Sequence, residues 1–534
     1  MYAGIGEDTP VAEVNRTEYS ARNAAVGMAA KVLCILFGYA TRIVFVRMFA
    51  SDLVGVNGLL HNALSAFTLP MLGIDTALVY AMYAPVSRGD VPRQQALLRL
   101  YRRVYLVFAG GIAAAGAALY PFLPMLIGRS VEGLGGIYAL FLAAVVCSYF
   151  WAAPGLVFLV YQRNYVNEIL VAVGLLAQNV LQIAVLLLTR NYYLFLAMNG
   201  ACTLARNLWI SRKCRREYPM LFPAEAPRLP KADRQGILRD IRAMLVHKIG
   251  MVIINSTDNL ILTAMFSLTA VARYANYYLI LGSAEEVLHR GIAGITASVG
   301  NVGVTEDSAF VGRIFRVSVF AAFWVYATAV SVLLAVLRGF IALSFGADYV
   351  LPQSLTAVIC LNLYLNGIRN ATLVFRDALG LFRYDRWKTV VEALVNLGVS
   401  ILLARWLGMV GVFLGTTVSI VLISIWVEPL ILYKKYLKTP ALPYFTRFLA
   451  YLVSAVAAAA LTWFLCRSMP EGALGLLLSL PICLTAPTAL LLLLWHRSEE
   501  FRVLWGIALP YLKRPVTRLR GGAAKDGEEA GRDG

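Results

Sequence analysis

The chain has 534 residues, 60% of them hydrophobic and only 15% charged, with a mean hydropathy of +0.70. Soluble domains carry about 25% charged residues, so a soluble globular protein is excluded, and the 27 Tyr, 25 Phe and 9 Trp exclude a disordered chain. In so apolar a chain the net charge of +18 reads as Lys and Arg retained in cytoplasmic loops rather than as a nucleic-acid surface.

Residues 1–23 are polar and lack the charged, apolar and small-residue regions of a removable signal, which predicts a cytoplasmic N-terminal segment. A bilayer-crossing helix needs about 20 mainly apolar residues, and fourteen such runs follow. The first six cover residues 24–46, 55–83, 104–127, 135–160, 166–189 and 191–211. Six more cover 244–266, 273–299, 314–336, 355–380, 387–405 and 408–433, and a final pair covers 444–466 and 473–495. Transmembrane strands need only about ten alternating residues, so the expected fold is an all-α polytopic membrane protein.

Alternate connections and the two termini hold 33 Lys and Arg, against 6 in the remaining connections, which places both termini in the cytoplasm. The span pattern of the first six recurs in the next six at an offset near 217 residues, where Lys31 falls on Lys248 and Asn179 on Asn396. Each set holds an even number of spans. The organisation expected is therefore two parallel six-helix lobes, 24–211 and 244–433, joined by a basic cytoplasmic linker over 212–243. An appended helical pair at 444–495 and a basic cytoplasmic tail at 496–534 complete it. A solvated linker facing lipid headgroups is the expectation for Arg212 to Ala243.

Nine basic residues remain inside or at the edges of spans, where each costs roughly 2.5–3.5 kcal/mol at a helix centre, so the central ones should face protein or water. On the first span Lys31, Gly38 and Arg42 share a face, and on the seventh Lys248 shares one with Asn255 and Asn259, with Asp258 alongside. The eighth adds Arg273, Glu285, Glu286 and His289, and the tenth adds Arg369. A cavity lined by guanidinium and ammonium groups suits an anionic guest, phosphate above all. The competing account is that these charges are internal ion pairs holding helices together.

Seven scattered cysteines form no Cys-x-x-Cys pair, so neither a disulfide framework nor a metal site is expected. No phosphate loop of the G-x-x-x-x-G-K-[ST] type, no H-E-x-x-H and no Asp-x-Asp pair occurs, which excludes a self-contained ATPase and argues against a nucleotide-sugar glycosyltransferase. No cofactor and no enzymatic activity are expected.

Three local motifs carry a family resemblance. The first runs from Arg42 through Arg47-Met48-Phe49-Ala50-Ser51-Asp52 to Gly55-Val56-Asn57-Gly58-Leu59, then Leu72-Gly73-Ile74-Asp75-Thr76-Ala77. The second is Phe345-Gly346-Ala347-Asp348-Tyr349, and the third runs from Leu407-Gly408-Met409 to Gly415-Thr416. In order and spacing they resemble the polysaccharide transporter branch of the multidrug/oligosaccharidyl-lipid/polysaccharide (MOP) exporter superfamily. The resemblance implies two six-helix lobes around a cavity that opens alternately to each side. It also implies an undecaprenyl-diphosphate-linked glycan as cargo, moved from the inner to the outer leaflet of a bacterial plasma membrane for cell-surface polysaccharide assembly. Polysaccharide-assembly proteins and membrane lipids are the implied partners. Fourteen spans are also similar to the lipid II flippases, which makes lipid II the alternative cargo; a membrane-embedded glycan-assembly enzyme or a scaffold are further alternatives.

Within that frame the diphosphate is expected among Lys31, Arg42, Lys248, Arg273 and Arg369. Resetting is expected to use the membrane potential, or a proton or sodium ion near Asp258, Glu285, Glu286 or His289.

Overall fold

The computed structural model describes residues 32–65, 69–123, 133–161, 163–239, 241, 261–262, 265–305, 307–379, 381–384 and 388–506. It is predominantly helical, with no strand among the described residues. The physical reason is solvent: in hydrocarbon every backbone N–H and C=O must be satisfied within its own segment. The chain forms two compact units, Met1–Ala275 and Asn276–Gly534. Eight of the described helices are long and apolar enough to cross a membrane, and shorter apolar helices cover Leu78–Ser87 and Leu134–Ser148. The eight correspond to the expected third, fifth and ninth to fourteenth spans, while the seventh lies almost wholly outside the described residues. Large apolar side chains point outward along these helices, among them Leu188 at 84% exposure and Leu493 at 72%, as a lipid-facing surface requires.

In the first unit, α1 (residues 32–48) breaks at 49–50 before α2 (Ser51–Ser65) and α3 (Leu69–Ser87). Gly89, at φ 67°, turns the chain into α4 (Val91–Leu119), whose first turn is capped by the Asp90 carboxylate accepting from Arg93 N at 3.0 Å. Further on come α5 (Leu134–Ser148), the short α6 (Gly155–Val160), α7 (Asn164–Thr189) and α8 (Tyr192–Glu217). The expected single span 135–160 is therefore interrupted, and the interruption is held from a distance. Asn207 Nδ2 on α8 donates to the carbonyls of Ser148 at 3.1 Å and Phe150 at 3.0 Å, satisfying groups the break releases. Tyr101, Tyr105, Tyr149 and Phe158 form the centre of this unit's core.

The basic linker is mostly exposed but tethered to the first unit. α8 extends through Arg212–Arg216, and the Pro-rich stretch after it folds back onto α4. Gln95 Nε2 donates to Met220 O at 2.6 Å, Arg99 donates to Ala226 O, and Arg93 pairs with Asp233 at 3.0 Å. An extended segment has no ladder for its carbonyls, and polar side chains of α4 supply the donors.

The division between units falls within α9 (Leu268–Thr305). The second unit continues with α10 (Ser308–Phe345), capped by Asp307 accepting from Phe310 N at 2.8 Å, and α11 (Gln353–Ala378). The Phe345–Tyr349 motif is the turn between them, with Gly346 at φ 107° and Tyr349 buried. α12 (Lys388–Leu407) and α13 (Met409–Leu437) follow, then α14 (Leu442–Cys466) and α15 (Ala473–Trp495). α10 is the hub, packing on α11, α14 and α15. Phe323 stacks on Tyr451 at 4.4 Å between ring centroids, and Trp495 joins them from α15.

The third sequence motif explains itself here: Gly411 and Gly415 let α13 approach α12 closely. A β-carbon on Gly411 would lie 2.1 Å from Leu403 O, and one on Gly415 would lie 2.5 Å from the Ser400 α-carbon. Close glycine-mediated contact is how helices associate where no hydrophobic force drives them together.

Candidate functional site

The first unit holds a polar cluster around Arg42 on α1. Its Nη1 donates to Asn57 Oδ1 on α2 at 3.1 Å, Asn57 Nδ2 donates to Tyr192 OH on α8 at 3.0 Å, and the guanidinium lies 5.5 Å from the Phe45 ring centroid. Phe45, Phe49, Tyr192 and Phe195 pack around this chain of contacts. Beside it in the sequence, Thr41 Oγ1 donates to Asn179 Oδ1 on α7 at 2.8 Å. Four helices, α1, α2, α7 and α8, are thus tied through neutral partners around a cation, which stays charged because guanidinium does not deprotonate in proteins.

Arg273 belongs to the same unit, and Gly58, next to Asn57, brings α2 against Ala275 of α9, with only 3.1 Å for an added β-carbon. Arg273 is half-buried, and its buried Nε has no hydrogen-bond partner among the described residues. Arg206 of α8 is a further half-buried cation, packed on Gly174 of α7, with Nη1 likewise without a partner among the described residues. Lys31, Lys248 and Asp258 lie outside the described residues. On α9, in the second unit, Glu285 and His289 are exposed one turn apart and Glu286 is half-buried.

Arg369, expected among the phosphate-binding cations, is neutralised within the second unit. Its Nε donates to Glu428 of α13 at 2.9 and 3.0 Å, and its Nη atoms reach Glu392 of α12 at 3.2 and 3.4 Å. Lys388 completes the group, 3.3 Å from Glu392 and bonded to Glu428. Lys388, Glu392 and Glu428 are buried, Glu428 wholly so. Two cations and two carboxylates balance, and the geometry holds α11, α12 and α13 together. Lys388, Glu392 and Glu428 were not among the site residues expected from the sequence. The available signal was Glu392 and Glu428 inside apolar runs, where an acid is as costly as a base, together with the i, i+4 spacing of Lys388 and Glu392. Asn396, matched to Asn179 by the internal offset, is another buried bridge, donating to Thr416 Oγ1 at 2.9 Å.

Among the described residues, two cavities stand apart from these clusters. In the first unit a space of about 1140 Å³ lies between α4, the α5–α6 break and the linker. In the second, an apolar space of about 420 Å³ is lined by α10, α11 and α14, including Cys360, Tyr364, Val456 and Trp463. No group of three metal-ligating side chains occurs among the described residues.

Long apolar helices with outward apolar faces, arranged in two compact helical units, define a multi-pass membrane protein. Its fold is that of the MOP superfamily transporters. The lipid II flippase MurJ in an inward closed conformation matches 90% of this chain and 99% of its own, at 11% identity and a TM-score of 0.63. A multidrug resistance MATE family transporter in its inward-facing conformation matches 75% of this chain and 96% of its own, at 14% identity and a TM-score of 0.60. A MOP superfamily transporter from Pyrococcus furiosus, described as having a binding pocket of reverse polarity, matches 80% and 97%, at 14% identity and a TM-score of 0.55. No protein-family model and no curated protein matches the sequence.

Proposed function

We propose that this chain is a flippase that carries an undecaprenyl-diphosphate-linked oligosaccharide from the inner to the outer leaflet of a bacterial plasma membrane by alternating access, for cell-surface polysaccharide assembly. The observation that carries the reading is Arg273, a membrane-embedded guanidinium whose buried Nε has no partner among the described residues, on a helix packed beside the one that orients Arg42. An oriented guanidinium with donors to spare is what a diphosphate needs, because Arg binds phosphate oxygens bidentately. The glycan then stays in a wet cleft while the polyprenyl chain remains in hydrocarbon. Lys31 and Lys248 complete the head-group site in this account.

Resetting the empty carrier uses the membrane potential acting on these cations, about 2.3 kcal/mol per charge per 100 mV. Asp258, Glu285, Glu286 and His289 are the alternative, as places where a coupling proton or sodium ion binds. Both termini face the cytoplasm. Lipid II is the second reading for the cargo, favoured by the longer match to MurJ, 90% of this chain against 75% for the MATE transporter.

Binding of undecaprenyl diphosphate to the purified chain tests the head-group site. Each charge-assisted contact contributes about 1.5–3 kcal/mol, so Arg42→Ala and Arg273→Ala should each weaken binding roughly 10- to 100-fold. Unchanged binding in both folded variants would move the head group elsewhere.

A further inference from the structure

The cavity between α4, the α5–α6 break and the linker belongs to neither the Arg42 cluster nor the buried ion-pair group. Arg99, Arg102 and Arg103 rise from one face of α4, at i, i+3 and i+4. Arg215 from the end of α8 and Arg228 from the linker bring two more guanidinium groups to the same space, against one lining carboxylate, Glu225. Nearby cations that have acids available use them: Arg93 pairs with Asp233 and Arg163 with Glu217. Among the described residues Arg102, Arg103, Arg215 and Arg228 form no ion pair, although they share a wall. Like charges gathered this way repel unless an anion joins them.

The walls are built. Arg99 is fixed to Ala226 O and Gln95 to Met220 O, which clamp the linker over α4, and the Arg215 guanidinium lies 4.7 Å from the Phe222 ring centroid. Tyr105 and Tyr149 form the inner wall, where Tyr105 donates to Asp75 of α3. Position relative to the bilayer follows from α4 itself, whose apolar run begins directly after Arg103. Leu106 and Val107 are exposed one turn further along, and Trp151, 46% exposed, lines the same cavity. Arginines beside an exposed Trp and emerging apolar side chains mark the headgroup level of a membrane.

We propose that this cavity binds the phosphate-bearing headgroup of a membrane lipid, with its acyl or prenyl chains leaving past Leu106, Val107 and Trp151. At about 1140 Å³ the space is that of a whole ligand pocket, which runs to hundreds of Å³, and not of a single ion. A free phosphate compound shares the head-group chemistry, but an apolar exit beside the arginines serves only a lipid. The site rests on the membrane reading and not on the flippase reading, so a chain that moves no lipid across a bilayer would still show it.

The test is native mass spectrometry of the full chain after incubation with dioleoyl phosphatidic acid in detergent. The triple variant Arg102→Ala/Arg103→Ala/Arg228→Ala removes exposed guanidinium groups, and Lys434→Ala/Lys435→Ala/Lys438→Ala removes as much charge from the second unit. The native chain and the lysine variant should retain one tightly bound phosphatidic acid, and the arginine variant should bind it at least about tenfold more weakly. Excess inorganic phosphate should leave the bound lipid in place. Equal retention by the arginine variant would overturn the proposal, and so would displacement by inorganic phosphate, which would assign the pocket to a soluble ligand. Should the triple variant melt early, Arg102→Glu alone carries the same expectation.

Discussion

At the scale of single residues, the costly charges were visible in the sequence but their partners were not. Arg42, Arg273 and Arg369 all stand out as bases in apolar runs, yet their fates diverge. Arg42 is oriented by an amide and an aromatic ring, whereas Arg369 meets two carboxylates 23 and 59 residues away in sequence. No local pattern distinguishes the two, because the distinction depends on which helices pack together. The ion-pair group makes a sharp prediction. Glu428→Gln leaves Arg369 and Lys388 short of one buried negative charge and should destabilise the protein by about 3–5 kcal/mol, read as a lowered melting temperature in detergent. Removing Lys388 and Glu428 together, as Lys388→Met/Glu428→Gln, restores the balance and should recover part of that loss. A double variant no more stable than Glu428→Gln would show that charge balance is not what holds these helices.

At the scale of elements, helix existence and length were legible because hydropathy and bilayer thickness set both. Interruptions were harder to see. The break between α5 and α6 depends on Asn207, a single amide on another helix, and nothing near Ser148 in the sequence announces it. Most of the described linker is exposed, in keeping with its basic, Pro-rich composition, but composition did not show that Gln95, Arg99 and Arg93 of α4 hold its backbone and its Asp233. The α12–α13 contact, by contrast, was written into the Gly411 and Gly415 spacing. Gly415→Leu drives a side chain into the Ser400 backbone and should cost at least about 1–3 kcal/mol through overpacking, measured as a fall in melting temperature. Gly408→Ala, at an open position with φ 62°, introduces backbone strain but no collision, and should cost less. Equal losses would mean that the helices do not meet at Gly415.

At the scale of the whole molecule, composition alone fixed the membrane class, and the motif order pointed to the fold that the solved MOP transporters share. Two compact units and a basic charge excess concentrated in alternate connections fit a polytopic membrane protein. A cavity bounded by α4, the α5–α6 break and the linker had no sequence signature, since its arginines come from three segments more than a hundred residues apart at the extremes. The central claim is movement of a lipid diphosphate between leaflets, and it is tested most directly in vesicles reconstituted with the native chain. A labelled undecaprenyl-diphosphate oligosaccharide is placed in one leaflet, and its exposure to a membrane-impermeant glycan-modifying reagent is followed under an imposed potential and ion gradients. The account predicts exposure well above that of protein-free vesicles, and lost when Arg42 and Arg273 are both replaced by alanine. Exposure no greater than in protein-free vesicles, for this lipid and for lipid II alike, would contradict it.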